Sequence, residues 1–296
     1  MKITFLGTSA MLPTKERNTS SILLNYKNEN ILVDCGEGTQ RQLRKLDISP
    51  TKITRILITH WHGDHVLGLP GLLQSVAKSD PNKEIKIYGP IGTKKFVSNI
   101  LHSFNYEDKI KLEVNEIKSG LFLNEKEFEI YSQEVKHTAK CLAYSFKEKD
   151  RRKVNVNYTK KFGLTNHPLL GQLQKGKTIT YEGKKITPEK GTTLILGKKI
   201  TFVLDTTADK NLEKFANNSD LLISEATFTK DLKQKALEFY HMTSEQAAYL
   251  AKKSKSRKLV LTHFSQRNKT TKEIEHEAKK VFKNTKCAED FLEVEV

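Results

Sequence analysis

The chain has 296 residues, and its 51 lysines and arginines outnumber its 35 aspartates and glutamates, for a net charge of +16. Apolar residues make up 37% of the chain and charged residues 29%, which is enough for a hydrophobic core and unlike a disordered chain. No stretch approaches the ~18 consecutive apolar residues of a membrane span. The three cysteines indicate neither a disulfide framework nor a cysteine-type zinc site. The composition excludes membrane, fibrous and disulfide-scaffold proteins, and we expect a cytoplasmic location.

Short apolar runs alternate with helical patterns along the chain, which is typical of an α/β fold. The first segment is too short and too interrupted for a signal peptide and predicts a strand. Helices are predicted at residues 39–46 and 68–78, at a capping box formed by Thr243 and Gln246, and on an apolar face that begins at Ile274. Strands are predicted at residues 2–6, 22–26, 31–34, 53–59, 84–88, 128–135, 201–205, 221–224 and 258–262.

Positive charge is concentrated in residues 145–200, where 14 lysines and arginines face 4 acidic residues, a local excess of +10. Clustered cations favour a polyanion because they release its condensed counterions, although a solvated lysine-rich loop would have the same composition. Within this stretch, residues 148–190 are rich in lysine, asparagine and threonine and lack long apolar runs. We therefore predict one domain over residues 1–296 that carries an insertion at 148–190.

The most specific motif is the hexapeptide His60-Trp61-His62-Gly63-Asp64-His65. Residues two apart on a helix point nearly opposite ways, so the first two histidines cannot share a metal there. The motif follows an apolar run and precedes a predicted helix, which places it in a strand-to-helix turn that can direct its side chains inward. Three imidazoles and a carboxylate suit zinc or another first-row metal better than a hard cation.

Further candidates stand at the ends of apolar runs, where functional residues of α/β sheets usually lie. They are Asp34, His137, Asp205 and His263. Each alone has the alternative of a cap or turn residue. Together with the hexapeptide they supply the additional histidines and aspartates that a second metal would require.

The hexapeptide with these spaced residues resembles the metallo-β-lactamase superfamily, and longer strings resemble the ribonuclease Z family within it. The resemblance runs over residues 1–267 and implies an αββα sandwich, in which two central sheets lie between outer helices. It implies an endonuclease that removes the 3′ trailer from precursor tRNA, leaving a 3′-hydroxyl on the tRNA and a 5′-phosphate on the trailer. The strings are Phe5-Leu6-Gly7-Thr8, Pro13-Thr14-Lys15-Glu16-Arg17-Asn18, Leu32-Val33-Asp34-Cys35-Gly36-Glu37-Gly38-Thr39-Gln40, Ser224-Glu225-Ala226-Thr227-Phe228, His241-Met242-Thr243 and Thr262-His263-Phe264-Ser265-Gln266-Arg267.

The resemblance also implies two Zn²⁺ ions per chain, with Mn²⁺ or Fe²⁺ as alternatives. Their implied ligands are His60, His62 and His137 for the first ion, Asp64, His65 and His263 for the second, and Asp205 bridging both. Asp64 is implied as the proton acceptor, His241 as the group beside the leaving 3′-oxygen, and Glu225 as the carboxylate that orients His241. Asp34 is expected to orient ligands rather than to bind a metal.

Family members carry an arm between the ligands corresponding to His137 and Asp205, and the arm binds the tRNA body. The basic stretch falls in that interval, although residues 166–176 lack the family's Gly-Pro pair and Leu204 stands where the family commonly has glycine. The implied assembly is a homodimer in which one subunit's arm serves the other's active site. The expected RNA contacts are Lys15 and Arg17 in the loop at 13–18, and Arg151, Arg152, Lys153, Lys160 and Lys161 in the arm.

Two other functions remain open from the sequence. A phosphodiesterase or arylsulfatase-like hydrolase of small molecules would share every metal ligand but would have no use for the basic arm. A nucleic-acid-binding protein with a degenerate core is disfavoured by the complete ligand set.

Overall fold

The structure, a computed structural model, describes residues 1–105 and 110–296. They form two compact units. The first comprises Met1–Asn124, Ile130–Phe146 and Lys199–Val296, and the second comprises Glu125–Glu129 and Lys147–Lys198. Within the described ranges, every helix is too short or too polar to cross a membrane.

Twenty strands and eleven α-helices lie in the described ranges. The strands are β1 Lys2–Gly7, β2 Ser9–Ala10, β3 Ser21–Tyr26, β4 Glu29–Val33, β5 Arg55–Leu57, β6 Glu84–Gly89, β7 Lys111–Glu116, β8 Gly120–Asn124, β9 Phe128–Val135, β10 Cys141–Glu148, β11 Arg151–Val154, β12 Ile179–Tyr181, β13 Lys184–Ile186, β14 Thr192–Ile195, β15 Lys199–Val203, β16 Leu221–Glu225, β17 Leu259–Thr262, β18 Phe264–Ser265, β19 Thr285–Cys287 and β20 Glu293–Glu295. The helices are α1 Thr39–Lys45, α2 Gly63–Val66, α3 Leu69–Ser79, α4 Thr93–His102, α5 Val156–Thr159, α6 Leu169–Gln174, α7 Pro188–Gly191, α8 Lys210–Phe215, α9 Lys233–Glu238, α10 Ser244–Lys253 and α11 Lys272–Val281.

The first unit contains two seven-stranded sheets. One has the strand order β20-β1-β3-β4-β5-β6-β7, antiparallel from β20 to β4 and parallel from β4 to β7. The other has the order β19-β17-β16-β15-β10-β9-β8, with β15, β16, β17 and β19 parallel. Parallel neighbours bring their carboxyl ends to the same edge of each sheet, which is where the hexapeptide and the other candidate residues follow the strands.

Both faces of these sheets are buried, which explains the continuous apolar runs of the sequence. In the first sheet Leu23 and Leu32 pack with helices α1, α3 and α4, while their neighbour Leu24 is fully buried outside that cluster. In the second sheet Leu222 and Leu259 pack with α8, α10 and α11.

Side chains between the two sheets bring their inner faces together. The rings of Tyr26 on β3 and Phe146 on β10 are 5.1 Å apart between centroids. The hydroxyl of Tyr144 on β10 donates to the carbonyl of Ile58, which follows β5, at 2.6 Å. Helices outside and two sheets inside confirm the predicted αββα sandwich.

The predicted strands are all present, although the segment at 53–59 is shortened to Arg55–Leu57. The capping box is also present, because Gln246 Oε1 accepts from the Thr243 amide at 2.9 Å and Thr243 Oγ1 accepts from the Gln246 amide at 3.3 Å. The sequence pattern does not predict helix α4 or strands β7 and β8. About half of each element faces solvent, so polar residues interrupt the apolar pattern of α4 and β7, and the apolar run of β8 is only three residues long.

The second unit has a small core of its own, formed by Leu164, Leu173, Ile179 and Ile186. Strands β11 and β14 pair antiparallel, and β12 and β13 form a hairpin. The predicted insertion at 148–190 lies within this unit, which continues to Lys198 because the β11–β14 ladder closes it.

Candidate metal centre

The hexapeptide follows β5 and enters helix α2 at Gly63. The loop after β4 holds it in place, because the Cys35 amide donates to the His65 carbonyl at 2.8 Å and the Gly68 amide donates to the Cys35 carbonyl at 2.9 Å. A Cβ on Gly68 would lie only 1.9 Å from the Gly36 carbonyl oxygen. Glycine is therefore required at Gly68, where the two loops make their closest approach.

Three candidate residues adopt left-handed backbone conformations within two residues of the ends of their strands. Asp34 follows β4 with φ 58°, Asp205 follows β15 with φ 35°, and His263 follows β17 with φ 58°. Such conformations are uncommon for residues with a Cβ and cluster at functional sites. Each turn ends the strand at the edge where the hexapeptide lies.

His60, His62, His137 and Asp205 form the first cluster, in which the potential ligand atoms all lie within 4.8 Å of one another. His137 Nε2 is 3.2 Å from His62 Nδ1. Asp205 Oδ2 is 3.6 Å from His60 Nε2 and 3.8 Å from His137 Nε2.

Asp64, His65 and His263 form the second cluster. His263 Nε2 lies 3.2 Å from His65 Nε2 and 3.3 Å from Asp64 Oδ2. The carboxylate of Asp205 also reaches this cluster, with Oδ2 3.4 Å from His65 Nε2 and Oδ1 3.2 Å from His263 Nε2. One carboxylate therefore faces the ligand atoms of both clusters, as the bridging position requires.

These residues fit divalent metal ions. Ligand atoms about 3.4 Å apart follow from tetrahedral zinc with bonds of ~2.0–2.1 Å, and the atoms here are spaced similarly. Two buried atoms of the first cluster, His60 Nε2 and Asp205 Oδ1, make no hydrogen bond among the described residues, although His263 Nε2 lies 3.2 Å from Asp205 Oδ1. Buried polar atoms rarely stay unpaired, and a metal ion would satisfy both.

The electrostatics of the clusters also favour cations. Burial lowers the pKa of His60 well below its usual value, and His65 acts in the same direction, which leaves the imidazole neutral as a ligand must be. Burial opposes the ionisation of Asp205, but His263 and His65 outweigh it and hold the pKa of that carboxyl well below its usual range. Burial likewise opposes a charge on His65, yet Asp205, Asp34 and Asp64 raise its pKa well above the usual value. Three carboxylates around one imidazole attract positive charge, which metal ions can supply.

Most of the clustered imidazoles are held through their second nitrogen, as metal ligands commonly are. Asp34 Oδ2 is 2.6 Å from His65 Nδ1, which gives Asp34 the expected orienting position. His137 Nδ1 is 3.3 Å from the Tyr240 carbonyl, and His263 Nδ1 is 3.0 Å from Thr227 Oγ1. No sequence pattern points to Tyr240, because its contact is made by a backbone carbonyl.

Glu225 and His241 form a buried pair beside the clusters. His241 Nδ1 lies 2.9 Å from Glu225 Oε1, and the carboxylate also accepts from the Thr206 amide at 2.8 Å and the Thr227 hydroxyl at 2.6 Å. Burial lowers the pKa of His241, but Glu225 outweighs it and raises the pKa to about 9. The pair therefore holds a protonated imidazole whose ring stacks on His263 with 5.6 Å between centroids.

The clusters open into a cavity of about 530 Å³. Its lining includes side chains that no sequence motif singles out, namely Met11, Leu67, Lys235 and Phe239. Only the folded structure reveals these residues, because each lines the cavity together with the ligands and His241 but none belongs to a metal-binding pattern.

The expected RNA-contacting residues lie outside the clusters. Lys15 is exposed, whereas the Arg17 guanidinium donates to the Asn268 carbonyl at 2.8 Å and so anchors its own loop. Arg152 in the second unit donates to Thr192 Oγ1 at 3.2 Å. The remaining expected contacts, all exposed side chains of the second unit, are Arg151, Lys153, Lys160 and Lys161.

Known proteins resemble this chain over nearly its whole length. Residues 1–287 match the family model described as "Anti-Pycsar protein Apyc1". The ribonuclease Z of Nanoarchaeum equitans is 41% identical over 271 residues, which cover 90% of this chain and 84% of that protein. The ribonuclease Z of Bacillus velezensis is 38% identical over 311 residues, which cover 100% of this chain and 99% of that protein.

Solved structures agree with these relatives. The short form of human tRNase Z superposes with a TM-score of 0.73 at 27% identity, covering 100% of this chain and 99% of that one. The metallo-β-lactamase fold protein YhfI from Bacillus subtilis superposes with a TM-score of 0.72 at 21% identity and the same coverage, a likeness of fold alone. The chain thus belongs to the ribonuclease Z family and, over residues 1–287, also to the family that the Apyc1 model describes.

Proposed function

We propose that this protein is an endoribonuclease that removes the 3′ trailer from precursor tRNA, leaving a 3′-hydroxyl on the tRNA and a 5′-phosphate on the trailer. The observation that carries the proposal is the pair of His/Asp clusters that share Asp205 in a chain whose relatives are named ribonuclease Z. A cytoplasmic location follows from this substrate and stays a prediction.

The two clusters would each hold one divalent ion, for which we propose zinc. His60, His62 and His137 would bind one ion, Asp64, His65 and His263 the other, and Asp205 both. When bound, the ions would activate a water molecule and stabilise negative charge on the phosphate. Mn²⁺ or Fe²⁺ are the alternatives, because imidazole and carboxylate ligands also suit them.

Asp64 is suited to accept the proton of the attacking water. Burial opposes its ionisation, but His65 and His263 hold the pKa of the carboxyl below its usual value, so that it is ionised at neutral pH. The Met11 amide donates to Asp64 Oδ2 at 2.7 Å and fixes the direction of the carboxylate.

His241 is suited to donate a proton to the leaving 3′-oxygen of the tRNA. Its Nδ1 is engaged by Glu225, which leaves Nε2 as the donor. Glu225 acts by positioning and charging the ring, as carboxylates beside imidazoles commonly do.

The second unit would bind the body of the tRNA. Residues 155–191 carry seven lysines against two glutamates, and all seven lysine side chains are exposed. Exposed cations that release counterions from phosphates dominate nucleic-acid affinity. We further propose a homodimer in which this unit serves the partner's active site, and light scattering of the purified protein tests the dimer.

A second candidate is hydrolysis of a small phosphodiester. The chain also matches the family model of Apyc1 over residues 1–287, so this activity is tested as well. The metal ligands suit both tRNA cleavage and hydrolysis of a small phosphodiester. The basic second unit favours tRNA cleavage, because a small substrate would not need it.

The deciding experiment compares 3′-extended tRNA transcripts with bis(p-nitrophenyl) phosphate, with product ends mapped and with a chelator as control. We expect a single cut at the end of the tRNA, abolished by the chelator and restored by Zn²⁺. Efficient hydrolysis of the small ester with intact tRNA would refute the proposal and support the second candidate.

The strand register of the second unit allows a deletion variant that removes its lysine-rich part and keeps every proposed metal ligand. Val154 and Thr192 face each other across the β11–β14 ladder, so residues 155–191 can be replaced by an Asn-Gly hairpin turn. The ester should still be hydrolysed, while tRNA affinity should fall. The dependence of affinity on salt should become shallower by about one in log–log slope for each phosphate that the variant no longer neutralises. Unchanged affinity and slope would refute the assigned role of this unit.

A further inference from the structure

The mouth of the metal cavity is apolar although it lies beside charged clusters. Phe239 is 46% exposed, Leu67 59% and Met11 77%, and all three line the cavity. Exposed large apolar side chains around a site mark a surface that binds an apolar partner. The ligand of this site must therefore present an apolar face within reach of a phosphate held at the clusters.

The apolar side chains fall into two groups along the chain. Met11 and Leu67 lie next to Asp64. The Met11 amide donates to the Asp64 carboxylate, and Leu67 is the C-cap of helix α2, which contains Asp64. Phe239 belongs with His241, since it caps the end of α9 directly before the Tyr240–His241 segment. Apolar surface therefore lies next to both the proposed proton acceptor and the proposed proton donor.

The segment that carries Phe239 is held rigidly. The Phe239 amide donates to the Lys235 carbonyl at 3.1 Å, and the His241 amide donates to the Ala236 carbonyl at 2.8 Å. Between them Tyr240 adopts a left-handed conformation with φ 56°, and Lys136 Nζ lies 5.3 Å from the centre of its ring. These hydrogen bonds therefore fix the backbone of Phe239 relative to that of His241.

We infer that Phe239 is a stacking platform for the base of the last nucleotide that stays on the tRNA. This inference rests on the proposed function, in which His241 faces the leaving 3′-oxygen of that same nucleotide. The sugar that carries this oxygen also carries the base, so the base must lie close to His241. An exposed aromatic ring can stack on any base, because every base has a π-face.

The inference is tested by removing either partner of the stack. The single-turnover cleavage rate at subsaturating enzyme is measured on two 3′-extended tRNA transcripts. One transcript is natural, and the other is abasic at the last nucleotide that stays on the tRNA. Phe239→Ala should lower cleavage of the natural substrate about tenfold, the usual order for one stacked base, and Phe239→Trp should restore it. On the abasic substrate, Phe239→Ala and wild type should be equal.

Leu237→Ala is the matched control, because Leu237 is 63% exposed on the same helix but does not line the cavity. It should behave as wild type on both substrates. An equal loss with Phe239→Ala on the natural and abasic substrates would overturn the inference while leaving the proposed function intact. A wild-type protein that leaves the natural transcript uncut would refute the proposed function and, with it, the platform.

Discussion

Replacing Glu225 with glutamine tests whether His241 acts as a proton donor. The substitution keeps the shape of the carboxylate and an oxygen for the Thr206 amide, but it removes the negative charge 2.9 Å from His241 Nδ1. Glu225 is the cause that raises the pKa of His241 to about 9 against the effect of burial. Without it, the pKa should return to ~6.5 or below, a change of about 2.5 units or roughly 3 kcal/mol.

The direction of the pH dependence follows because the protonated form of His241 is the active one. The rate should be flat at low pH and fall as pH rises through the pKa of His241, so the descending limb should move to lower pH in Glu225→Gln. Bound metal ions would lower the pKa of His241 in both proteins, so the separation between the two profiles is the measured quantity. At a pH 1.5 units above the variant's limb, about 3% of its His241 is protonated against roughly 90% in wild type, a loss of about thirtyfold.

The assay is a single-turnover pH–rate profile with 3′-extended tRNA, supported by NMR titration of His241 in the metal-free protein. Near the acid end of the profile the two proteins should cleave at similar rates. Coincident descending limbs, or an equal loss at every pH, would show that Glu225 does not act through the charge on His241.

Three further tests, each made by substitution, address the site and the fold. Asp205→Asn should lower bound metal at both clusters whereas His137→Ala should chiefly affect one, and metal analysis showing two ions per chain in the Asp205 variant would contradict the bridging position. Thr243→Ala removes the capping box of α10 and should cost about 1 kcal/mol in urea unfolding, so an unchanged midpoint would refute its role. Gly68→Ala should destabilise strongly because its Cβ would collide with the neighbouring loop, while Gly171→Ala, whose Cβ meets no atom within 4 Å, should not; equal stability of the two would contradict the close approach.

The metal clusters could be predicted from sequence because their residues follow local rules. The hexapeptide carries its spacing within six residues, and Asp34, Asp205 and His263 each end an apolar run. What the sequence could not show is the left-handed backbone at these three positions, since it depends on neighbouring loops rather than on residue type.

Asp34 and Glu225 were expected to orient their imidazoles, but two other residues beside the clusters were beyond the sequence. Tyr240 acts through a carbonyl that every residue possesses, and Phe239 gains its position from the fold of α9 against the clusters. In the second unit, the rings of Tyr158 and Phe162 are packed against a small local core, whose four apolar residues are too scattered along the sequence to be recognised.

The buried carboxylate of Asp34 links the two metal clusters through hydrogen bonds, so the binding of one ion would affect the binding of the other. Its Oδ2 lies 2.6 Å from His65 Nδ1 in one cluster and accepts from the Thr59 hydroxyl, which is 3.1 Å from His60 Nδ1 in the other. An ion that orders His60 would also order Thr59 and Asp34, so the second ion would find His65 already oriented and lose less conformational entropy on binding. By reciprocity the first ion gains equally from the second. Loading should therefore be cooperative, and a metal titration should give a Hill coefficient above one.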